Sequence, residues 1–140
     1  MSRTKKADAY FDSGYSCAQA VLATFGESFG LEADMAIKVA GAFGGGMSNL
    51  GQVCGAVTGA LMVIGLKHGV TGEAKQHTYK ISQDFVRHFI GRHGTMLCPE
   101  LIGHNLGDPD ERAAAKEKGL FSTRCSGYVR DAVEILEEML

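Results

Sequence analysis

A chain of 140 residues with a formal net charge of -2 has the size of one domain, here residues 1–140. It can bury about 68% of its unfolded surface, so no disulfide framework is needed in place of a core. It carries no concentrated basic face of the kind that grips phosphates, which argues against nucleic acid as a partner.

The opening MSRTKKADAYFDSGYS has Lys and Arg without an apolar run behind them, so it does not read as a secretory signal. The expected setting is cytoplasmic, where a routine structural disulfide is not expected. A short helix is expected from about Thr4 to Phe11, ahead of the break Asp12-Ser13-Gly14. Ala18, Val21, Leu22, Phe25 and Phe29 recur at helical steps and predict a second helix, with Gly26 and Gly30 as stops. Leu31 to Phe43 reads as a third helix that ends in the glycine cluster.

No charged residue occurs from Val39 to Leu66, yet Gly44-Gly45-Gly46 and Ser48-Asn49 interrupt that run. The apolar remainder, Val53 to Leu66, makes a helix of about 21 Å at about 1.5 Å per residue. A bilayer core needs about 30 Å, so a buried helix is expected and no membrane span. Gly51, Gly55 and Gly59 fall four apart, and the spacing predicts a side-chain-free stripe for a neighbouring backbone. Thr71 can cap a helix that runs through Ile90, with Ile81, Phe85, Val86 and Phe89 facing inward. Asp108-Pro109 starts an alanine-rich helix that Gly119 stops. Val129, Ala132, Val133, Leu136 and Leu140 mark an amphipathic terminal helix, the expected contact should the chain form a homodimer. No alternating β-type run appears. The fold class expected is all-α, a compact multi-helix bundle around the glycine-spaced apolar helix.

The chemistry rests on four cysteines, no two of them close in sequence. Cys17 follows Ser16, a cap candidate, and Cys54 stands near the start of the apolar helix. Cys98 precedes Pro99 and reads as a cap residue itself, while Cys125 follows the cap candidate Thr123. All four are expected at helix N-termini, where unpaired N–H groups and the dipole favour a thiolate. The glycine-rich approach to Cys54 would bring further N–H groups near its sulfur. It is not a P-loop, because Gln52 and Val53 stand where Lys and Ser or Thr are required.

Four readings of the cysteines follow. They could be small buried hydrophobes, or thiolate ligands of a metal such as zinc, against which the lack of close ligand pairs argues. They could hold an iron–sulfur cluster, or cycle through a disulfide by thiolate attack. His68, His77, His88, His93 and His104 read as surface or capping residues, with His93 and His104 placed to tune the Cys98 segment. No Ser–His–acid set or paired carboxylates are legible, so a hydrolase has no support.

The stretches GYSCAQAV, VCGAVTGALMVIGL, LCPELIG and CSGYVRDAVEIL resemble the four cysteine blocks of the C-GCAxxG-C-C proteins, small bacterial and archaeal proteins of about this length that are described as redox-active. The resemblance covers nearly the whole chain, and the CGAxxG element at Cys54, Gly55, Ala56 and Gly59 carries most of it. It places the family's cysteines at Cys17, Cys54, Cys98 and Cys125 and implies a redox role for them, as catalytic thiols or as cofactor or metal ligands. Selenoproteins within the family imply a reactive chalcogen. Nearby transporter genes imply a transporter as partner beside an unknown redox partner. A related domain in split-Soret cytochromes implies an iron–sulfur site; without CxxCH, covalent haem is not expected. The reading of a different class is a non-catalytic metal-binding or interaction module.

Overall fold

The computed structural model describes residues 1–69 and 72–140. Helix α1 (Arg3–Asp12) starts where Ser2 Oγ accepts the Lys5 N–H at 3.2 Å. Helix α2 (Cys17–Gly26) opens with a reciprocal cap. Ser16 Oγ accepts the Gln19 N–H at 3.3 Å, and Gln19 Oε1 accepts the Ser16 N–H at 2.9 Å. That capping box fixes the register of the residue between them, Cys17, as the first of the helix. A 3₁₀ turn, Glu27–Phe29, extends α2 to Gly30.

Helix α3 is only Ala33–Val39, shorter than the expected Leu31 to Phe43. At its front, the Leu31 N–H is spent on the Gly26 carbonyl at 2.8 Å, which belongs to the closing turn of α2. At its back the chain changes hand. Gly45 (φ 65°), Gly46 (70°), Met47 (69°), Ser48 (54°) and Asn49 (61°) are consecutive residues at positive φ. Glycine takes this conformation freely, whereas a left-handed residue with a side chain costs about 1–2 kcal/mol. The turn is closed by wide bonds, Asn49 N–H to Gly44 O and Gln52 N–H to Gly46 O, each at 2.9 Å. Ser48 Oγ adds a bond to Ala42 O at 2.6 Å.

Helix α4 (Gly55–His68) starts two residues after the expected Val53, with Cys54 as its cap residue. Gly51 therefore lies in the connection at φ 68°, not on the helix stripe. The expected cap at Thr71 lies outside the described residues. A 3₁₀ turn, Gly72–Ala74, leads into α5 (Lys75–His93). Helix α6 (Cys98–Ile102) carries Pro99 in its first turn. Asp108 caps α7 (Pro109–Glu117) by accepting the Asp110 and Glu111 N–H groups. A π-helical turn, Phe121–Cys125, then runs into α8 (Ser126–Met139).

The fold is all-α, as the periodicity indicates. Among the described residues the one strand-like feature is an isolated antiparallel bridge between Val53 and Leu97. At its centre α2 packs on α4. Eight of the ten α2 residues are buried, which explains why its run of Ala and Val shows no polar face. Glycine makes the close approach work: a Cβ at Gly59 would stand 2.8 Å from the Ala18 carbonyl oxygen, and one at Gly55 would stand 2.9 Å from the Ala18 nitrogen. Phe85 and Phe89 of α5 and Val129, Val133 and Leu136 of α8 complete the core. Ile81 and Val86, expected inside, are only partly buried against it. Burying a Phe or Leu fully stabilises the fold by about 1.5–3 kcal/mol, so the α2–α4 platform is held from several sides. No described helix is long and apolar enough to cross a membrane.

Candidate functional site

The four cysteines, remote in sequence, line one cavity of about 660 Å³. None forms a disulfide. Cys54, Cys98 and Cys125 are 5%, 4% and 6% exposed, and Cys17 is partly exposed. Each arrives on a different element, and local rules explain each arrival.

Cys17 is the first residue of α2, set there by the Ser16–Gln19 box. It packs on the start of α4, where a Cβ at Gly55 would lie 3.1 Å from its own Cβ. Cys54 caps α4. Its sulfur makes no close cap hydrogen bond, but the N–H groups of Ala56 and Val57 face it. Cys98 is the first residue of α6; Leu97 rather than Cys98 is the cap. The chain ahead of it runs extended, because the Cys54 N–H bonds Met96 O at 2.9 Å and the Cys98 N–H bonds Gln52 O at 2.8 Å. Gly46 opens the space that Cys98 needs, since a Cβ there would lie 2.7 Å from the cysteine's Cβ.

Cys125 departs from expectation. It closes the π-helical turn with helical dihedrals (φ -63°, ψ -35°) and sits at a joint inside a continuous helical rod. Thr123 caps nothing there; its Oγ1 donates to Gly119 O at 2.8 Å. Helix N-terminal placement thus holds for three of the four. A π-type widening inside a helix is itself a frequent mark of functional sites, and no residue pattern in FSTRC announces it.

The electrostatics separate the thiols. Interaction with the Cys125 thiol, then with that of Cys54, and then burial hold the Cys17 thiol well above its usual range. Cys54 moves the other way. Interaction with the Cys17 thiol, with help from the Ala56 and Val57 N–H groups, lowers it against the cost of burial. Burial, with the charges of Cys54 and Cys125 behind it, pushes Cys98 up to about 12. A thiol that stays protonated beside one that ionises is the donor–acceptor pair expected where one sulfur is to attack.

Further residues hold the frame, and sequence reasoning did not single them out. Tyr128 Oη donates to Leu101 O at 2.6 Å, and Arg124 Nη1 donates to Ile102 O at 3.1 Å. Both clamp the last carbonyls of α6, whose first residue is Cys98. Their i, i+4 spacing on one helix face was the available signal. The histidines stand outside the cavity. His93 Nε2 lies 2.8 Å from Asp131 Oδ2, and its ring packs on Phe89 and Tyr128. His104 faces Lys118 at 3.2 Å and Glu111 at 4.0 Å.

A family model described as "Putative redox-active protein (C_GCAxxG_C_C)" matches residues 15–139. The chain belongs to the C-GCAxxG-C-C family. The match takes in all four cysteines. The family's printed pattern sets the cysteine after the glycine, whereas this chain reads Cys54-Gly55-Ala56. No curated protein matches the chain, and no solved structure does.

As a C-GCAxxG-C-C protein the chain has the donor chemistry for a thiolate-bound metal or iron–sulfur centre. Among the described residues, however, no three His, Cys, Asp or Glu side chains come together closely enough to hold a metal ion. These side chains do not form a ready ligand set among the described residues.

Proposed function

We propose that this protein is a thiol-based redox protein whose working couple is the Cys17–Cys54 dithiol and its disulfide. The observation that carries the reading is the placement of both thiols in one cavity where the start of α2 packs on the start of α4, and the opposite displacement of their acidities agrees with it. Cys54, whose thiol is lowered from its ordinary range, is the attacking sulfur. Cys17, kept protonated, is the resolving one.

In the reaction, the Cys54 thiolate attacks one sulfur of an external disulfide R–S–S–R. A Cys54–S–S–R bond forms and R–S⁻ leaves. The Cys17 proton passes to the departing thiolate, and the Cys17 sulfur displaces the second R–S⁻ from Cys54. The protein loses two electrons as the dithiol becomes a disulfide, and R–S–S–R gains them to become two R–SH after one further proton is taken from solvent to replace that first lost by Cys54. Cys125, next to Cys17, and Cys98, on the bridge to Cys54, complete the wall around the pair. A cytoplasmic setting suits a couple that has to be found reduced.

The test is mass-spectrometric mapping after brief treatment with diamide, an oxidant that closes dithiols. A Cys17–Cys54 bridge with Cys98 still free is the expected product. Recovery of four unoxidised thiols, or of a bridge that omits Cys54, would overturn the assignment.

A further inference from the structure

The cavity limits what can reach the couple. Cys54, Cys98 and Cys125 are each exposed by 6% or less, so an attacked sulfur must come inside to meet them. A disulfide on a folded protein is held on two backbones and cannot be carried into a recess this size without local unfolding. By contrast, about 660 Å³ lies in the range of about 300–1,000 Å³ that takes up small molecules.

The walls narrow the class of molecule. Phe11, Leu101, Ile102, Leu106 and Phe121 line the cavity with apolar surface, and Leu101, Ile102 and Leu106 are themselves buried. Among the described lining residues the charged side chains besides the Cys54 thiolate are Asp12 and Lys116, one of each sign, both on exposed residues. An anionic guest would find one cation matched by one anion, and no basic cluster to replace its lost hydration. A guest without net charge pays no such cost.

Resting on the dithiol reading above, we infer that the oxidant of the couple is a small organic disulfide without net charge, taken into the cavity against Phe11 and Phe121, and that protein disulfides are excluded. The exchange follows the same two steps, with R a short uncharged body.

The experiment mixes the reduced, full-length protein with three oxidants in turn and follows closure of the Cys17–Cys54 bridge by quenching and mapping. The oxidants are bis(2-hydroxyethyl) disulfide, which is neutral, dithiodiglycolate, a dianion of similar length, and insulin as a protein disulfide. Each rate is divided by that of free dithiothreitol with the same oxidant, which removes intrinsic reactivity. The neutral disulfide should then exceed the dianion by about tenfold or more, a difference of about 1.4 kcal/mol in barrier, and insulin should fall further behind. Asp12→Lys, a change at an exposed position, should raise the dianion's relative rate. Equal rates for insulin and the neutral disulfide, or indifference of the dianion to Asp12→Lys together with a rate matching the neutral compound, would overturn the inference while leaving the couple intact. Failure of diamide to close the bridge would remove the couple itself, and the inference with it.

Discussion

Cys17 and Gly55 meet side by side at the junction of α2 and α4, so closely that a β-carbon on the glycine would come within 3.1 Å of the cysteine's own. The fold and the site are therefore one construction: the glycine that lets two helices touch also delivers the sulfur of one helix to the head of the other.

Substituting these glycines separates packing from propensity. Alanine is favoured over glycine in a helix by about 0.8–1.0 kcal/mol, so Gly65→Ala, which meets nothing within 4 Å, should raise stability by roughly that amount. Gly59→Ala should lower it by about 1–3 kcal/mol, because its Cβ would press on the Ala18 backbone at 2.8 Å. Urea unfolding of the two variants should move the midpoint in opposite directions.

Alkylation against pH should reveal Cys54. Its acidity is lowered first by the Cys17 thiol and then by the Ala56 and Val57 N–H groups. A free thiol ionises at about 8.5. The rate of Cys54 alkylation should reach its half-maximum below that value, and Cys17→Ala should move the midpoint upward. An unchanged midpoint in the variant would separate the two sulfurs.

Alkaline stability should fall through Cys98. Its thiol is pushed up to about 12 by burial, so between the unfolded value of about 8.5 and about 12 the folded state keeps a proton that the unfolded state has lost. Stability is full below that window and declines across it by about 1.4 kcal/mol per pH unit for one thiol. Cys17, displaced in the same direction, adds to the slope. Cys98→Ala should flatten the dependence relative to the parent by close to one thiol's share, read from unfolding curves at several pH values.

Tyr128→Phe should loosen the Cys98 segment. It removes the 2.6 Å bond to Leu101 O, a loss of about 1 kcal/mol, while the ring contacts with Phe89 and His93 stay. The expected signature is faster labelling of Cys98 by a small alkylating agent under native conditions, with little change at Cys54.

Much of this was legible in the chain. The helical periods of α1, α2, α5 and α8, the Asp108-Pro109 start and the close approach at Gly55 and Gly59 follow from side-chain spacing and from glycine's cost in a helix. Three cysteines stand at helix starts as expected: Cys17 follows its Ser16 cap, Cys54 is a cap itself, and Cys98 lies one residue past the cap position it was read to hold. What escaped depends on non-local bonds. The chain-reversing left-handed turn consumes Met47, Ser48 and Asn49, of which Asn49 alone is a residue type at home in that hand. It is held by closure bonds to Gly44 and Gly46, and α3 ends ahead of it where the Gly41 and Phe43 N–H groups turn back to Lys38 O and Ala40 O. The π turn at Cys125 likewise arises where α8 must keep its register on α2 and α5 while Arg124 reaches α6, a tertiary demand with no local code.

The bridge between Val53 and Leu97 has one more effect. Amides at the leading turn of a helix ordinarily find no partner in the chain, but the donors in this bridge are the main-chain N–H groups of Cys54 and Cys98 themselves. With both peptide planes anchored, each sulfur keeps freedom only about its own Cα–Cβ axis. Bond making at Cys54 is thereby reduced to the swing of a single rotor, and the backbone on either side can stand still while the electrons move.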